Sequence, residues 1–193
     1  NENLLDNGYL LSPRDLCSLE YIPRLISAGV KCFKIEGRMK TPEYVATVTK
    51  IYRKYIDLAL SDKEYKVDEE DIKRLMQVFN RGGFSSGNFE DDENLNYVYK
   101  EKPNNMGLYI GNVSSFNKSR GLITLKTTES LSMKDQISLE KEAHKYTISE
   151  IMSNGKNIPV ATPNTTVTIG RIKGNISLGD KVYKLSSNSF SKE

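Results

Sequence analysis

The chain has 193 residues, of which 37% are hydrophobic and 27% charged, with a formal net charge of +3. No apolar run approaches the roughly 20 residues that span a bilayer. Two cysteines and one histidine suit neither a disulfide framework nor a metal site. The length allows one large or two small domains, and reducing, cytoplasmic surroundings are the expectation.

Gly8 to Ser12 (Gly-Tyr-Leu-Leu-Ser) reads as a short strand. Ser12-Pro13-Arg14-Asp15 then starts a helix whose apolar positions Leu16, Leu19, Ile22, Leu25 and Ile26 recur at helical spacing, and Gly29 stands at its C′ position. Pro23 is costly inside a helix, so the first turn is expected as a separate piece before a helix over residues 23–28. Val30 to Ile35 reads as a second strand, its Val30, Cys32, Phe33 and Ile35 dense enough in β-branched and aromatic character to be buried. Gly37 lets the backbone turn tightly, Thr41 caps the next helix, and Pro42 takes its first position. Val45, Val48, Ile51, Tyr52, Tyr55, Ile56 and Ala59 line one face of that helix, opposite Lys50, Arg53, Lys54 and Asp57. Cys17 and Cys32 read as small buried hydrophobes on the first helix and second strand.

Strand, helix, strand, helix is the order of β/α units, but two parallel strands neither close a barrel nor cover a sheet. An isolated pair buries too little area to offset about 1–2 kcal/mol of backbone entropy per residue. The chain opens on Asn1 without an initiator methionine or signal peptide, so residue 1 is expected not to be the native start. The expectation is therefore an α+β fragment that keeps the last two β/α units of a β/α barrel. The competing reading is a small self-sufficient α+β domain. In the fragment reading, exposed edges of the two strands invite self-association.

A further helix is capped by Asp68 and carries Ile72, Leu75, Met76 and Phe79 on one face; the glycine-rich turn Asn80-Arg81-Gly82-Gly83-Phe84-Ser85-Ser86-Gly87 follows. Residues 88–105 read as an extended linker between a first domain, 1–87, and a second, 106–193. The second consists of short strands at 107–113, 121–127, 135–139, 144–151, 158–161, 166–172 and 180–185, a spacing that predicts a small antiparallel β-barrel. Charge divides at the same place: residues 1–102 hold 16 Lys/Arg against 18 Asp/Glu, and residues 103–193 hold 12 against 7. That excess fits either a phosphate-contacting module or a solvated, lysine-rich surface. Arg171 and Lys173, flanking Ile172 on one strand, are the sharpest nucleic-acid-binding candidates.

Phe33-Lys34-Ile35-Glu36-Gly37-Arg38-Met39-Lys40 places an acid and several donors between a strand and a helix, where β/α folds put their chemistry. Asp15 and Glu36, both at strand ends, could act in acid–base catalysis. Alternatively Asp15 caps a helix and Glu36 pairs with Arg14 or Arg38. Arg38 and Lys40, with Arg14, suit anion recognition, since a guanidinium fork matches carboxylate or phosphate oxygens and a helix start presents free N–H groups. A small dicarboxylate and an RNA phosphate fit equally. The sole histidine, His144, falls far from these acids in sequence, which argues against a Ser/His or Cys/His nucleophile here.

The runs Leu11-Ser12-Pro13-Arg14-Asp15-Leu16, Tyr21-Ile22-Pro23-Arg24-Leu25, Ala28-Gly29-Val30 and Phe33 to Lys40, followed by Tyr44-Val45, resemble the U32 family of collagenase-like peptidases. The resemblance is strongest over residues 9–60 and continues through Asn80-Arg81-Gly82. It implies a β/α barrel, of which this chain keeps the last units, followed by a small antiparallel β-barrel similar to domain 2 of elongation factor Tu. It also implies an iron–sulfur cluster held by cysteines of the missing N-terminal barrel region, and not by Cys17 or Cys32. Two activities come with the family: proteolysis of collagen-like substrates, and hydroxylation of tRNA or rRNA. In either case this chain is incomplete as a catalyst, and its second domain positions a macromolecular substrate, protein or RNA, with no membrane involved.

Overall fold

The computed structural model describes residues 8–9, 11–89, 97–100, 104–141 and 144–186. They divide into two compact units, Asn1–Asn105 and Met106–Glu193.

In the first unit, β1 (Asp15–Leu16) runs parallel to β2 (Phe84–Ser85), with Asp15 opposite Phe84. A tight helical turn, Leu19–Tyr21, leads into α1 (Ile22–Ser27), whose Pro23 lies in the first turn, where its missing N–H breaks no hydrogen bond. The proline therefore divides this helical region as its covalent structure requires. Thr41 caps α2 (Pro42–Ala59) by accepting the Tyr44 N–H at 3.2 Å, and Asp68 caps α3 (Glu69–Val78) by accepting the Glu70 N–H at 2.9 Å. The helices bury Leu19, Ile22, Val48, Ile51, Tyr55 and Leu75 in one apolar cluster. At its edge Asp71 accepts from Tyr55 Oη at 2.8 Å and Lys54 Nζ at 2.5 Å. Burial opposes ionisation of Asp71, yet the Lys54 and Tyr55 bonds outweigh it and hold the carboxyl below its ordinary range.

The two expected β/α strands do not form. Around residues 8–12, Tyr9 N–H donates to the Lys100 carbonyl at 2.9 Å and Tyr99 N–H to the Ser12 carbonyl at 2.9 Å, while Leu10 lies outside the described residues. Residues 97–100, expected in a linker over 88–105, are thus paired within the first unit. Asp15 and Leu16 are strand instead of helix, because Arg14 N–H bonds to Tyr97 and Cys17 N–H to Ser85. Residues 31–36 form neither strand nor helix and have no ladder partner among the described residues. A strand needs a neighbour to take up its N–H and C=O groups, and none reaches this one. Val30 and Cys32 are exposed, not buried.

The second unit contains β3 (Leu108–Asn117), β4 (Leu122–Lys126), β5 (Leu131–Ser132), β6 (Gln136–Leu139), β7 (Lys145–Thr147), β8 (Ile151–Ser153), β9 (Lys156–Asn157), β10 (Val160–Ala161), β11 (Thr166–Ile169) and β12 (Lys181–Ser186). Eight of these form an antiparallel sheet in the order β7-β6-β12-β3-β4-β11-β8-β9, and β5 pairs with β10. The sheet curls into a half-barrel; its end strands β7 and β9 are not joined to each other among the described residues. The strand expected over 144–151 divides into β7 and β8, since Ile148 N–H turns to the Asp135 carbonyl at 2.9 Å. Register shifts in the β12–β3, β12–β6 and β3–β4 pairs increase the local twist. The concave side buries Ile110, Ile123, Leu125, Ile137 and Ile169, each worth about 1.5–3 kcal/mol in transfer terms.

Lys184, on β12, also points inward. Its Nζ lies 3.0 Å from Asp135 Oδ2 and donates to the Ser130 carbonyl at 3.0 Å; Asp135 Oδ2 accepts the Ser132 N–H at 2.9 Å. No helix among the described residues is long and apolar enough to cross a membrane.

Lys184→Met should leave the buried Asp135 carboxylate without its ammonium counter-charge and destabilise the second unit by about 3–5 kcal/mol. Replacing both residues by apolar ones of similar volume should recover most of that loss; urea midpoints of the three proteins decide. For Asp71, a depressed folded pKa means stability that is present above the unfolded carboxylate range and lost as pH falls through the folded value. Asp71→Asn should therefore melt lower near neutrality yet lose less stability than the parent between about pH 5 and pH 2. Parallel acid-melting curves would refute the role assigned to Asp71.

Candidate functional site

The turn that ends α3 is built by Asn80, which is buried. Its Nδ2 donates to the Met76 carbonyl at 2.7 Å, and its Oδ1 accepts the Gly83 N–H at 2.9 Å. Gly82 has φ +73°, and a Cβ there would overlap the Tyr99 ring. The Gly82 carbonyl accepts from Arg14 Nη1, and the Arg14 guanidinium lies 5.7 Å from the Tyr99 centroid.

This turn presents Arg81 to Asp15. The guanidinium donates through Nη2 to Oδ1 at 2.9 Å and through Nε to Oδ2 at 3.2 Å, and the Arg81 backbone N–H donates to Oδ2 at 2.9 Å. Both carboxylate oxygens are thus engaged: Asp15 is held in an ion pair with Arg81 and does not cap a helix. Next to the pair, Lys40 Nζ sits 2.8 Å from the Phe79 ring centroid and 5.4 Å from that of Tyr44, and those rings meet edge to face at 6.0 Å. Burial pulls the Lys40 ammonium below its usual pKa; Asp15 pushes it back up and Arg81 again down. Burial raises the Tyr44 phenol, and Asp15 adds to that.

Beside this group opens a cleft of about 460 Å³, lined by Asp15, Glu36, Tyr44, Phe79 and Phe84 and, deeper, by Cys17 and Tyr52. The Tyr52 hydroxyl accepts the Ser18 N–H at 3.1 Å. Burial pushes the Cys17 thiol up, the reverse of what an activated nucleophile requires. Cys17 and Cys32 are both free.

Of the residues singled out from sequence, Asp15, Arg14 and Lys40 converge around the Arg81 turn. Glu36 reaches the cleft, but among the described residues its Oε1 accepts the Arg38 backbone N–H at 3.0 Å and pairs with no arginine side chain, and Arg14 is committed to Gly82. The Arg38 side chain is exposed. The left-handed residue in the turn before α2 is Met39, φ 63°, not Gly37. Arg171 and Lys173 belong to the second unit and do not share a strand, because β11 ends at Ile169 and Arg171 has φ 64°. Sequence reasoning missed Arg81, Tyr44 and Phe79 as partners of this group; the Asn-Arg-Gly-Gly run marked the turn without revealing what it faces. The sequence holds two cysteines, and the described residues contain no cluster of three or more His, Cys, Asp or Glu side chains. A four-thiolate iron–sulfur cluster does not fit the donors of this chain.

The sequence profile of Peptidase family U32 matches residues 1–98, and the chain belongs to that family. It is 32% identical over 192 residues to the uncharacterized protease MJ0090 of Methanocaldococcus jannaschii, covering 95% of this chain and 46% of that protein. It is 30% identical over 159 residues to tRNA hydroxylation protein P1 of Bacillus subtilis, covering 79% of this chain and 37% of the relative. A collagenase of Porphyromonas gingivalis is 45% identical over 82 residues, 40% of this chain and 22% of that protein. The chain thus spans less than half the length of these curated relatives. The solved C-terminal domain of a Geobacillus thermoleovorans putative U32 peptidase is 18% identical, covers 39% of this chain and 90% of that domain, and superposes with a TM-score of 0.37.

Gly82→Ala combines a left-handed backbone with overlap on Tyr99, whereas Gly29, φ +89°, has nothing within 4 Å of an added Cβ. Gly29→Ala should cost about 1–2 kcal/mol, the backbone term alone, and Gly82→Ala clearly more. Equal urea midpoints for the two variants would refute the packing of this turn against Tyr99.

Proposed function

We propose that the chain is the C-terminal part of an RNA-hydroxylating member of family U32. Its first unit presents Lys40 and Arg38 to an anionic group of the substrate, with Glu36 as the carboxylate available for proton handling, and its second unit positions the RNA. The observation that carries this reading is Lys40: half-buried on two aromatic rings at the edge of an aromatic-lined cleft, without a carboxylate in ion-pair distance among the described residues. A ligand with both a ring and a negative charge, such as a nucleotide, complements that arrangement. Peptide hydrolysis by a thiol or hydroxyl is less well supported, since the first unit has no histidine and its half-buried thiol is shifted away from ionisation. Relatives named for RNA hydroxylation include the B. subtilis protein and the 23S rRNA 5-hydroxycytidine C2501 synthase of Escherichia coli, 26% identical over 165 residues.

The backbone of residues 31–36, without a ladder partner among the described residues, supports a companion reading: in the whole protein a preceding segment supplies further strands of a β/α barrel, and the iron–sulfur cluster belongs there. Without that segment the same edge favours self-association. In this reading the half-barrel is the counterpart of domain 2 of elongation factor Tu, and the chain's residues bind and orient the RNA while the redox chemistry lies elsewhere.

The test is to express the full-length protein in an E. coli strain lacking its own tRNA hydroxylation protein P and 23S rRNA 5-hydroxycytidine synthase, and to analyse RNA nucleosides by mass spectrometry. Hydroxylated nucleosides should return, and Lys40→Gln should reduce them about tenfold or more, the loss of one charge-assisted contact. No hydroxylated nucleoside, together with gelatin cleavage by the purified protein, would overturn the proposal in favour of the peptidase.

A further inference from the structure

Three of the basic residues of the second unit are neutralised. Lys141 pairs with Asp180 at 2.8 Å, Lys181 with Glu140 at 2.9 Å, and Lys184 with Asp135 at 3.0 Å. A different group stays unpaired and is gathered at one end of the sheet. The turn between β3 and β4 carries Lys118 and Arg120, both exposed. Asn117 holds that turn: its Oδ1 accepts the Arg120 N–H at 3.1 Å and the Ser119 hydroxyl at 2.8 Å. The next residue, Gly121, has φ +64°, and its carbonyl accepts the Ile172 N–H at 2.9 Å. A Cβ on Gly121 would stand 2.7 Å from the Ile172 carbonyl oxygen, so the two backbones approach as closely as only glycine permits.

Ile172 is buried, and its neighbours Arg171 and Lys173 are exposed. Tyr146 Oη donates to the Lys173 carbonyl and ties this segment to β7 as well. Arg171 adopts φ 64°, a left-handed conformation that costs a side-chain-bearing residue about 1–2 kcal/mol and persists only where its surroundings impose it. Two stretches about fifty residues apart in sequence thus bring four exposed cations to the same end of the sheet, on backbones that touch at Gly121 and Ile172. The nearest carboxylate on the neighbouring strand connection is Glu150, which packs at Gly170 and shares a groove with Arg171.

We propose that Lys118, Arg120, Arg171 and Lys173 form a phosphate-backbone docking surface for RNA. The identity of the polyanion rests on the RNA reading above; the existence of the surface does not. Four exposed cations with no carboxylate in ion-pair distance among the described residues, on two backbone segments clamped to each other, match a chain of phosphates, which lysine and arginine bind with release of counterions. The aromatics of these segments, Phe116 and Tyr146, pack against the apolar core, so the contact is with the backbone and independent of sequence.

The full chain is titrated with bulk tRNA by fluorescence anisotropy from about 50 to 300 mM salt, with poly-glutamate of similar charge as the comparison polymer. Four contacts imply a slope of log K against log salt of about −3 to −4. Arg171→Gln/Lys173→Gln and Lys118→Gln/Arg120→Gln should each make the slope shallower by about 1.5–2, while Lys126→Gln/Lys156→Gln, on exposed positions of other strands, leaves it unchanged. Equal loss from the control pair, or no loss from the two test pairs, overturns the surface. Poly-glutamate binding as tightly as tRNA overturns RNA as the ligand and points to an acidic protein partner. This readout involves no hydroxylation: slopes that shift as expected while the cellular assay stays negative would retain the surface and discard the hydroxylation reading.

Discussion

The bidentate pair between Asp15 and Arg81 joins segments 66 positions apart in sequence and sets the positions of the other groups in the first unit. Arg81 can reach Asp15 only because Asn80 closes the end of α3 and two glycines follow it. The same turn receives Arg14 from β1's leading segment and packs on Tyr99 from a third piece of chain. With the Arg81 charge spent on Asp15, Lys40 is held on the faces of Tyr44 and Phe79, two rings that line the cleft and cannot neutralise it.

The second unit handles charge differently. One ion pair, Lys184 with Asp135, lies in the interior, where its geometry is fixed by backbone partners on both sides. Such a pair contributes little net stability against an apolar alternative but makes other registers of β12 and β6 costly, since each would strand a charge. Other pairs tie the ends of β6 and β12 together at the surface. Among the remaining basic residues, those of the β3–β4 turn and of the segment after β11 are brought to one end of the sheet by topology, not by sequence proximity.

A helix satisfies its own hydrogen bonds, so α2 and α3 form wherever their caps and apolar stripes direct. A strand in a β/α arrangement depends on neighbours from elsewhere, and residues 30–37 have none among those described. Phe33 and Ile35 still turn inward against the apolar cluster, so the alternation of a strand survives without its ladder.

Local chemistry was therefore legible in the sequence: the caps Thr41 and Asp68, the break at Pro23, the helical stripe of α2, the turn at 80–83, and most strands of the second unit follow from residues within a few positions of one another. Membership in the family was legible too, because its motif is a contiguous run. What the tertiary structure alone decided are the pairings across distance: Arg81 with Asp15 instead of Glu36 with an arginine, residues 97–100 against Tyr9, Ser12 and Arg14 instead of a free linker, Lys184 inside instead of on a basic surface, and Gly121 against Ile172. A charged side chain selects its partner by proximity in space, and a short sequence window holds no information about which distant segment will arrive there.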